Sequence, residues 1–443
     1  MRREGISTPT HPSYSTGSTH KRKDKVAKNY PEEIARTEKL IEAVKKDIKD
    51  VEAKDGFQGT FDGAGHTVNR LSLNYTIEAL GQYKSSYNMG LFSMTGDSSD
   101  IKNLNLKDVN IDISIISTSF INSIQIGSIA TQANRFINCS ASGNININVN
   151  TEKGDYSYVS VGGIGTQAAE VIKCINSTDI SLSGRSQAPQ IGGIVSTAKQ
   201  IRDCTNYGYI YINTLEKNVT CGGISAVGNE VKHCKNYGEI KAKSNSGSNH
   251  VGGIIGEGKD GENAPILMYN ANYGDISCRV IDDNNPCFGG DSYVGGIFGY
   301  ISSYLPSVTV DKCVNAGDVH SYYSLGKDGT VGIYAGGIGG ILGGTYESKR
   351  QTKVINCFNL CHSITSLYER PNSVNKGLIG RIGHIGGEGA NNFSLNTTSL
   401  NGSIPTNYIG SDEENGGSMT KAEIEKAIQE LGFELPGELP NAS

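Results

Sequence analysis

The sequence contains no tryptophan, only 11 prolines among 443 residues and no long apolar run. The scarcity of proline, with glycines that do not recur at every third position, excludes a collagen-like chain. No stretch approaches the roughly 18 to 20 continuous apolar residues of a transmembrane helix, so we expect no transmembrane segment. Charge is also scarce: the charged fraction is 19%, and a net charge of −5 with a pI near 6.0 gives no reason to expect a nucleic-acid partner.

Glycine, in contrast, is abundant. The chain has 57 glycines, about 13% of its residues against roughly 7% in an average protein. Apolar residues make up a further 36%, which is enough to close a sizeable core and excludes disorder along the whole chain. A globular chain of this length would ordinarily form two or three domains.

Charged residues are concentrated near the N-terminus. Residues 1–55 carry 13 Lys/Arg and 10 Asp/Glu, whereas 411–443 carry two lysines and eight acids. We expect a disordered basic tail at 1–30 and a helix at 31–55 that caps the following domain. We expect an acidic helical cap or tail at 411–443. The N-terminus has no apolar segment typical of a secretory signal.

Residues 56–410 contain an internal repeat. A glycine pair followed by isoleucine recurs three times at intervals of 30 residues, and then after 43 and 41 residues. These pairs begin at Gly162, Gly192, Gly222, Gly252, Gly295 and Gly336. Looser copies at Gly90, Gly127 and Gly377 bring the number of units to about nine.

Cysteine and asparagine keep step with the glycine pairs. A cysteine stands 12 residues after the first glycine in four units, and after insertions in two more. These cysteines are Cys139, Cys174, Cys204, Cys234, Cys313 and Cys357, with Asn270 in the same place of the 252 unit. Two residues later six consecutive units have asparagine: Asn176, Asn206, Asn236, Asn272, Asn315 and Asn359.

Each unit contains three short apolar runs separated by Gly, Asn and Ser. Three strands and three turns in about 30 residues are typical of one coil of a parallel β-helix. We therefore predict an all-β, right-handed parallel β-helix of about nine to ten coils, with a short N-terminal helix and a C-terminal helical cap. Equal positions of successive coils stack about 4.8 Å apart, so Ile and Val fill the interior. Asparagine adopts left-handed backbone and bonds its stacked neighbour through the amide.

Three segments resemble a known family. Residues 57–73 (FQGTFDGAGHTVNRLSL), 89–93 (MGLFS) and 101–111 (IKNLNLKDVNI) are similar to the opening of bacterial surface proteins with GLUG-type repeats. The later VGGIIG and VGGIFG units look like that repeat itself. The resemblance implies a right-handed β-helix displayed outside a cell, at the cell surface or extracellular, and implies no settled activity. Family members usually carry a signal or lipoprotein peptide and few cysteines, whereas this chain has ten cysteines.

No recognisable catalytic constellation is present. A glycosidase needs two carboxylates across a cleft, and the candidates are Asp282, Asp283 and Asp291 on one loop and Asp260 and Glu262 on another. The residue set of polygalacturonases is absent. The eight histidines include no pair four residues apart, so the His-Glu-x-x-His motif of zinc peptidases is missing. We predict no metal, no cofactor and no enzymatic activity.

The cysteines favour a structural interpretation. Stacked Cα atoms about 4.8 Å apart lie within disulfide range, but parallel side chains on neighbouring strands seldom meet the required torsion. We expect buried free thiols that act as small apolar fillers. Cys221, Cys278, Cys287 and Cys361 fall outside the repeat, and a bridge from Cys278 to Cys287 is possible if the protein is exported.

Insertions indicate where a binding face lies. One set falls between the Gly-Gly and Cys strands of the last full units, at 257–265, 300–308 and 343–352, and a second follows the Ile strand, at 279–293, 321–335 and 365–376. Insertions at equal places stack on one side of a solenoid, which is often its binding face. We predict ligand-binding tyrosines there: Tyr293, Tyr300, Tyr304, Tyr322, Tyr323, Tyr334 and Tyr346.

Three functions are compatible with these observations. The leading hypothesis is a non-catalytic, adhesin-like surface protein that binds a host or cell-surface glycan or protein through the tyrosine-bearing loops. The alternatives are a carbohydrate-active β-helix enzyme, a polysaccharide lyase or glycosidase, and a structural rod or phage-fibre-like spacer. The oligomeric state does not follow from the sequence.

Overall fold

A computed structural model describes the chain from residue 57 to 432 with internal gaps. The described ranges are 57–79, 86–93, 95–96, 98–117, 121–151, 157–245, 247–258, 265–282, 290–301, 307–325, 332–342, 351–370, 373–385, 388–407, 410 and 415–432. The predicted tail at 1–30 and helix at 31–55 lie outside these residues. No helix among the described residues is long and apolar enough to cross a membrane.

Three sheets of stacked strands form a parallel β-helix, as the repeat predicts. Sheet A has nine strands: Tyr87–Met89, Ile121–Gly127, Ser157–Gly162, Gln187–Gly192, Thr220–Gly222, Asn249–Gly252, Ser292–Gly295, Ile333–Gly336 and Leu378–Gly380. Sheet B has 14 strands: Thr60–Asp62, Asp100–Lys102, Ala130–Ile137, Gly165–Ile172, Val195–Arg202, Ser225–Lys232, Ile255–Gly258, Ile266–Met268, Phe298–Ile301, Ser307–Asp311, Gly339–Leu342, Gln351–Ile355, Gly383–Ile385 and Glu388–Ala390.

Sheet C takes the remaining strands: Thr67–Asn69, Ser72–Ala79, Asn105–Ser117, Ser140–Thr151, Ile175–Gly184, Thr205–Asn206, Ile210–Thr214, Lys235–Asn236, Ile240–Ser244, Ala271–Asn272, Ile276–Asp282, Val314–Asn315, Val319–Leu325, Phe358–Asn359, Ser363–Arg370, Ser373–Lys376, Phe393–Leu395, Ser399–Leu400 and Gly417–Met419. Each coil runs through sheets A, B and C in turn. The last strand pairs in parallel with Phe393–Leu395, so the solenoid extends beyond the predicted boundary at residue 410.

The strand register follows the glycine pairs. Gly162 pairs with Gly192, and the match continues coil by coil to Gly336. Gly336 then pairs with Gly380, so the last unit begins there and the predicted copy at Gly377 was wrong. Arg381 therefore stands where the six units from Gly162 to Gly336 have the second glycine of the pair, and where the unit at Gly127 has Ser128.

In the six units with a repeat asparagine, glycine is required at the second position because the next coil and the asparagine row lie in contact with it. A Cβ on Gly193 would lie 2.1 Å from the Gly223 carbonyl oxygen and 2.5 Å from the Asn206 side chain. Both distances are far below van der Waals contact. The glycine pairs and the asparagines therefore recur together because they touch each other across the coil.

The six repeat asparagines form a continuous hydrogen-bonded row. In the first five, the side-chain amide nitrogen donates to the amide oxygen of the asparagine in the next coil at 2.8 to 3.0 Å, and Asn359 donates to the Ser394 hydroxyl at 3.1 Å. The predicted amide stacking is confirmed, but the left-handed backbone lies elsewhere. The residue before the cysteine position has positive φ, as at Lys173 (54°), Asp203 (57°) and His233 (54°). Because lysine and histidine occupy that turn as well, asparagine is not needed there.

All nine described cysteines are free and buried, which confirms that the repeat cysteines fill the interior. Asn270 takes a cysteine place and accepts a hydrogen bond from the Cys234 amide at 3.0 Å. Asn392 does the same for the Cys357 amide at 3.1 Å in the last coil. Cys287, and with it the possible bridge to Cys278, lies outside the described residues.

We expect none of these thiols to react in the folded protein. Burial raises the pKa of Cys204 far above its ordinary range and that of Cys278 to about 12, so both remain protonated and shielded. The Cys287→Ser variant should show no fast-reacting thiol with a chromogenic reagent at pH 8, and nine after unfolding in guanidinium chloride. A thiol that reacts quickly in the folded variant would contradict the expectation.

The C-terminal helix α1, Lys421–Glu430, packs on the outer flank of sheet C. Thr420 and Glu423 form a capping box, and Ile424 and Ile428 are buried. They pack in one cluster with Val314 and Phe358, which are 1% and 2% exposed. Val314 and Phe358 belong to one outward row of sheet C. In an earlier coil this row holds Ile175, which is 46% exposed. The helix therefore covers the side of the last coils, a place that the sequence did not indicate.

Candidate ligand-binding groove

The corner between sheets A and B is concave on its outer side. The Ser196 hydroxyl in sheet B reaches back to donate to the Gln190 carbonyl in sheet A at 3.0 Å. Closer to the C-terminus, the sheet A strand Asn249–Gly252 and the sheet B strand Phe298–Ile301 of the next coil lie very close together. A Cβ on Gly299 would lie 2.5 Å from the Val251 nitrogen. Outward-facing side chains of the two sheets therefore converge. We call this surface the corner groove.

Four rings meet in the C-terminal part of the groove. Tyr293 and Tyr334 occupy one outward row of sheet A and stack with centroids 5.0 Å apart. His250, in the same row, stacks on Tyr300 of sheet B at 4.6 Å. Tyr293 and Tyr300 join the two pairs across the corner at 5.0 Å. All four are partly exposed, and we call them the aromatic cluster.

Two carboxylates border the aromatic cluster. Asp291 accepts a hydrogen bond from the Tyr293 hydroxyl at 2.7 Å and another from the Gly332 amide at 2.7 Å. Glu257, on the other side of the corner, lies 3.2 Å from Nδ1 of His250. Burial, and then the hydrogen bond to Asp291, raise the pKa of Tyr293. The phenol therefore stays protonated and acts as a donor, not as a nucleophile.

Glycines of sheet B make room for the cluster. The place four residues after the first glycine of the pair is Thr166 or Ser196 in earlier coils, and their hydroxyls reach across the corner to Gln125 and Gln190 of sheet A. It is Gly256, Gly299 or Gly340 in the coils that carry the aromatic cluster. A Cβ on Gly340 would lie 2.7 Å from the Val294 nitrogen. The loss of these side chains allows rings from the two sheets to touch.

The structure brings together three of the predicted tyrosines, Tyr293, Tyr300 and Tyr334. Tyr322 lies in sheet C, where the Arg279 guanidinium covers its ring at 4.9 Å. Its role in binding stays a prediction. Tyr323 is fully buried, so its prediction as a binding residue was wrong. Successive side chains of a strand point to opposite faces, and Tyr323 is on the inner one. Tyr304 and Tyr346 lie outside the described residues.

Sequence reasoning missed His250 and Glu257. The signal was present in the repeat: His250 stands two residues before its glycine pair, as do Tyr293 and Tyr334. Glu257 likewise stands in register with Tyr300. Insertions do not indicate these two residues, because the groove is lined by the regular strands beside the insertions. Register, rather than loop length, identifies the site.

The structure describes two of the five candidate acids, Asp282 and Asp291. Asp291 belongs to the site, Asp282 ends the strand Ile276–Asp282, and Asp283, Asp260 and Glu262 lie outside the described residues. Within the part of the chain that the structure describes, no group of three His, Cys, Asp or Glu residues could hold a metal ion. The chemistry available in the groove is ring stacking and hydrogen bonding to carboxylates and a phenol.

Comparison of the chain with protein-family models, with curated proteins and with solved structures finds no match. A proposal about function therefore depends on the residues that line the groove and on their contacts and charges.

Proposed function

We propose that this protein is a non-catalytic β-helix that binds a glycan in the corner groove through the aromatic cluster. The observation that carries the proposal is the contact of Tyr293 with Tyr300 across a concave corner, with Asp291 and Glu257 beside it. Tyrosine combines an apolar ring with a polar tip. The exposed parts of the stacked rings contact the C–H groups of a sugar, and carboxylates accept hydrogen bonds from its hydroxyls.

The geometry favours a glycan over a protein surface. Stable protein interfaces need about 800 Å² on each partner and centre on a broad apolar core. The aromatic cluster is instead a group of four side chains bordered by two hydrogen-bond acceptors, an arrangement typical of a small-ligand site. Asp291 is held by two donors, so its orientation is set before a ligand arrives, which lowers the entropic cost of binding.

We further propose that the protein belongs with the GLUG-type repeat proteins and is displayed outside the cell as an adhesin. The support is the stretch at 57–73 and the VGGIIG and VGGIFG units. Their glycine pairs are in register in adjacent coils, where Gly252 pairs with Gly295. A rigid solenoid suits display because each coil contacts only its neighbours and the ligand groove runs along the outside.

Tyr293→Ala is expected to weaken glycan binding by about 2 kcal/mol, roughly 30-fold in Kd, because a central half-buried ring is lost. A glycan array identifies the probe, and titration calorimetry with that glycan measures Kd. Tyr207→Ala is the matched control, since Tyr207 stacks on Tyr237 at 5.0 Å at a different place on the solenoid. The control should bind as the wild type does.

Other outcomes would replace the proposal. Equal binding by Tyr293→Ala and the wild type would remove the aromatic cluster from the site. The absence of any glycan ligand would favour a rod or spacer. Cleavage of the bound glycan that is lost in Glu257→Gln would establish the hydrolase alternative, which draws support from two carboxylates on opposite sides of the rings.

A further inference from the structure

The corner groove does not end at the aromatic cluster. The outward rows that hold the rings continue through earlier coils, where their residues pair with one another. In sheet A the row before His250 is Gln125, Ser160, Gln190 and Thr220. In sheet B the row before Glu257 is Gln132, Gln167, Thr197 and Val227. The groove therefore lies parallel to the solenoid axis.

The two ends of the groove differ in chemistry. The earlier coils present amides and hydroxyls, with Gln125, Gln190 and Thr197 partly exposed and Gln167 exposed. None of these groups is charged. Thr220 and Val227, which lie between the polar rows and the rings, are only 9% and 5% exposed, so they present little surface to a ligand. The carboxylates Glu257 and Asp291 lie only at the aromatic end.

We propose that the corner groove holds a linear, neutral polysaccharide chain parallel to the solenoid axis. One sugar packs against the exposed part of the aromatic cluster, and the sugars before it hydrogen-bond to the glutamine, serine and threonine rows. This inference rests on the proposed function and specifies its ligand class.

Dimensions and charge support this assignment. Seven coils, from Gln125 to Tyr334, span about 29 Å at roughly 4.8 Å per coil. The coil spacing is close to the length of one pyranose ring in an extended chain, so successive sugars meet equivalent side chains. Uncharged amides donate to and accept from hydroxyls. An acidic glycan would bring its carboxylates or sulfates against Glu257 and Asp291, and like charges repel.

Titration calorimetry with neutral oligosaccharides of two to eight sugars tests the proposal. Gluco-, manno-, xylo- and chito-oligosaccharides are the probes, with oligogalacturonates as acidic counterparts. We expect affinity to rise with chain length and to level off at about seven sugars. Gln190→Ala should weaken hexasaccharide binding roughly two- to tenfold, the effect of a lost hydrogen bond, and leave disaccharide binding unchanged. Tyr293→Ala should weaken both.

The matched control is Gln200→Ala, since Gln200 lies in the same strand as Thr197 and pairs with Glu170 and Glu230 outside the groove rows. Equal affinity for short and long chains, with Tyr293→Ala still damaging, would overturn the extended groove and leave the proposed function intact. Failure of every oligosaccharide to bind would overturn the proposed function itself. Tighter binding of oligogalacturonates than of neutral chains would overturn the assignment to neutral glycans.

Discussion

Asn236→Ala is expected to lower the free energy of unfolding by about 3 to 5 kcal/mol. The Asn236 amide nitrogen donates to the Gly238 carbonyl and to Asn272, both at 2.8 Å, and its oxygen accepts from Asn206 at 2.8 Å. All three partners are buried. Alanine leaves each of them without its bond to this side chain, and each buried polar group left unsatisfied costs about 1 to 3 kcal/mol. Urea denaturation followed by circular dichroism measures the loss.

Asn148→Ala is the control for this prediction. Asn148 lies in the strand Ser140–Thr151 of the same sheet, but its side chain is exposed. Its replacement should change stability by less than about 0.5 kcal/mol. Equal effects of the two substitutions would show that the buried row contributes no more than an exposed asparagine does. A partial loss confined to coils near residue 236 would agree with the nearest-neighbour stability of solenoids.

Arg381→Met is expected to release the terminal coil and α1 from the solenoid, with a local cost of about 3 to 5 kcal/mol. Arg381 is fully buried. Its guanidinium donates to the carbonyls of Asn415 at 3.0 Å, Leu395 at 3.0 Å and Gly416 at 3.1 Å. Methionine fills similar volume but donates no hydrogen bond, so three carbonyls at the end of the β-helix lose a partner. Hydrogen bonds to charged groups contribute about 1.5 to 3 kcal/mol each.

Hydrogen exchange read by mass spectrometry locates this effect. Amides of residues 388–430 should lose protection in Arg381→Met, while those of 175–244 keep it, because coils interact mainly with their neighbours. Arg202→Met is the control, since Arg202 forms a partly exposed ion pair with Glu170 at 3.5 Å and such pairs contribute little. Arg381→Lys should behave like the methionine variant, because one ammonium cannot reproduce the planar fork of donors. Unchanged protection at 388–430 would refute the end-closing role of Arg381.

The role of Arg381 follows from its place in the repeat. In the six units that carry a repeat asparagine the second residue of the pair is glycine, because that asparagine and the next coil lie against it. The unit at Gly380 has Ser394 in the asparagine place, and the second position there holds a side chain. Arg381 occupies it and donates to the carbonyls of Asn415 and Gly416, which lie just before the last strand. The loss of the asparagine thus coincides with a side chain that binds the terminal strand.

The repeat predicted the fold because its signals are local and periodic. Coils of equal length place equal residues above one another, so the spacing alone assigns the glycine pairs, Cys174 with Cys204, and Asn176 with Asn206 to rows. Parallel strand register and buried thiols followed from that alignment. Gly377 was misassigned because only one glycine marked the unit there, and the pairing of Gly380 with Gly336 decides the register.

The candidate site was only partly predictable. Tyrosine enrichment in the C-terminal half indicated Tyr293, Tyr300 and Tyr334, but the same criterion included Tyr323, which faces the interior. Alternation along a strand separates Tyr322 from Tyr323 once the strand is known. Loop insertions gave no basis for that choice, since they do not show where the strand begins.

The repeat pattern is sufficient to specify the coil, its register and the residues that fill its interior, because each depends on contacts between equal positions of neighbouring units. The groove needs more, since it forms where sheets A and B bend toward each other at the glycine corner. That bend brings His250, Glu257 and the tyrosines together, and it arises from a backbone approach that Gly299 and Gly340 permit. The place of α1 on the flank likewise depends on apolar residues from several distant coils, which no single unit reveals.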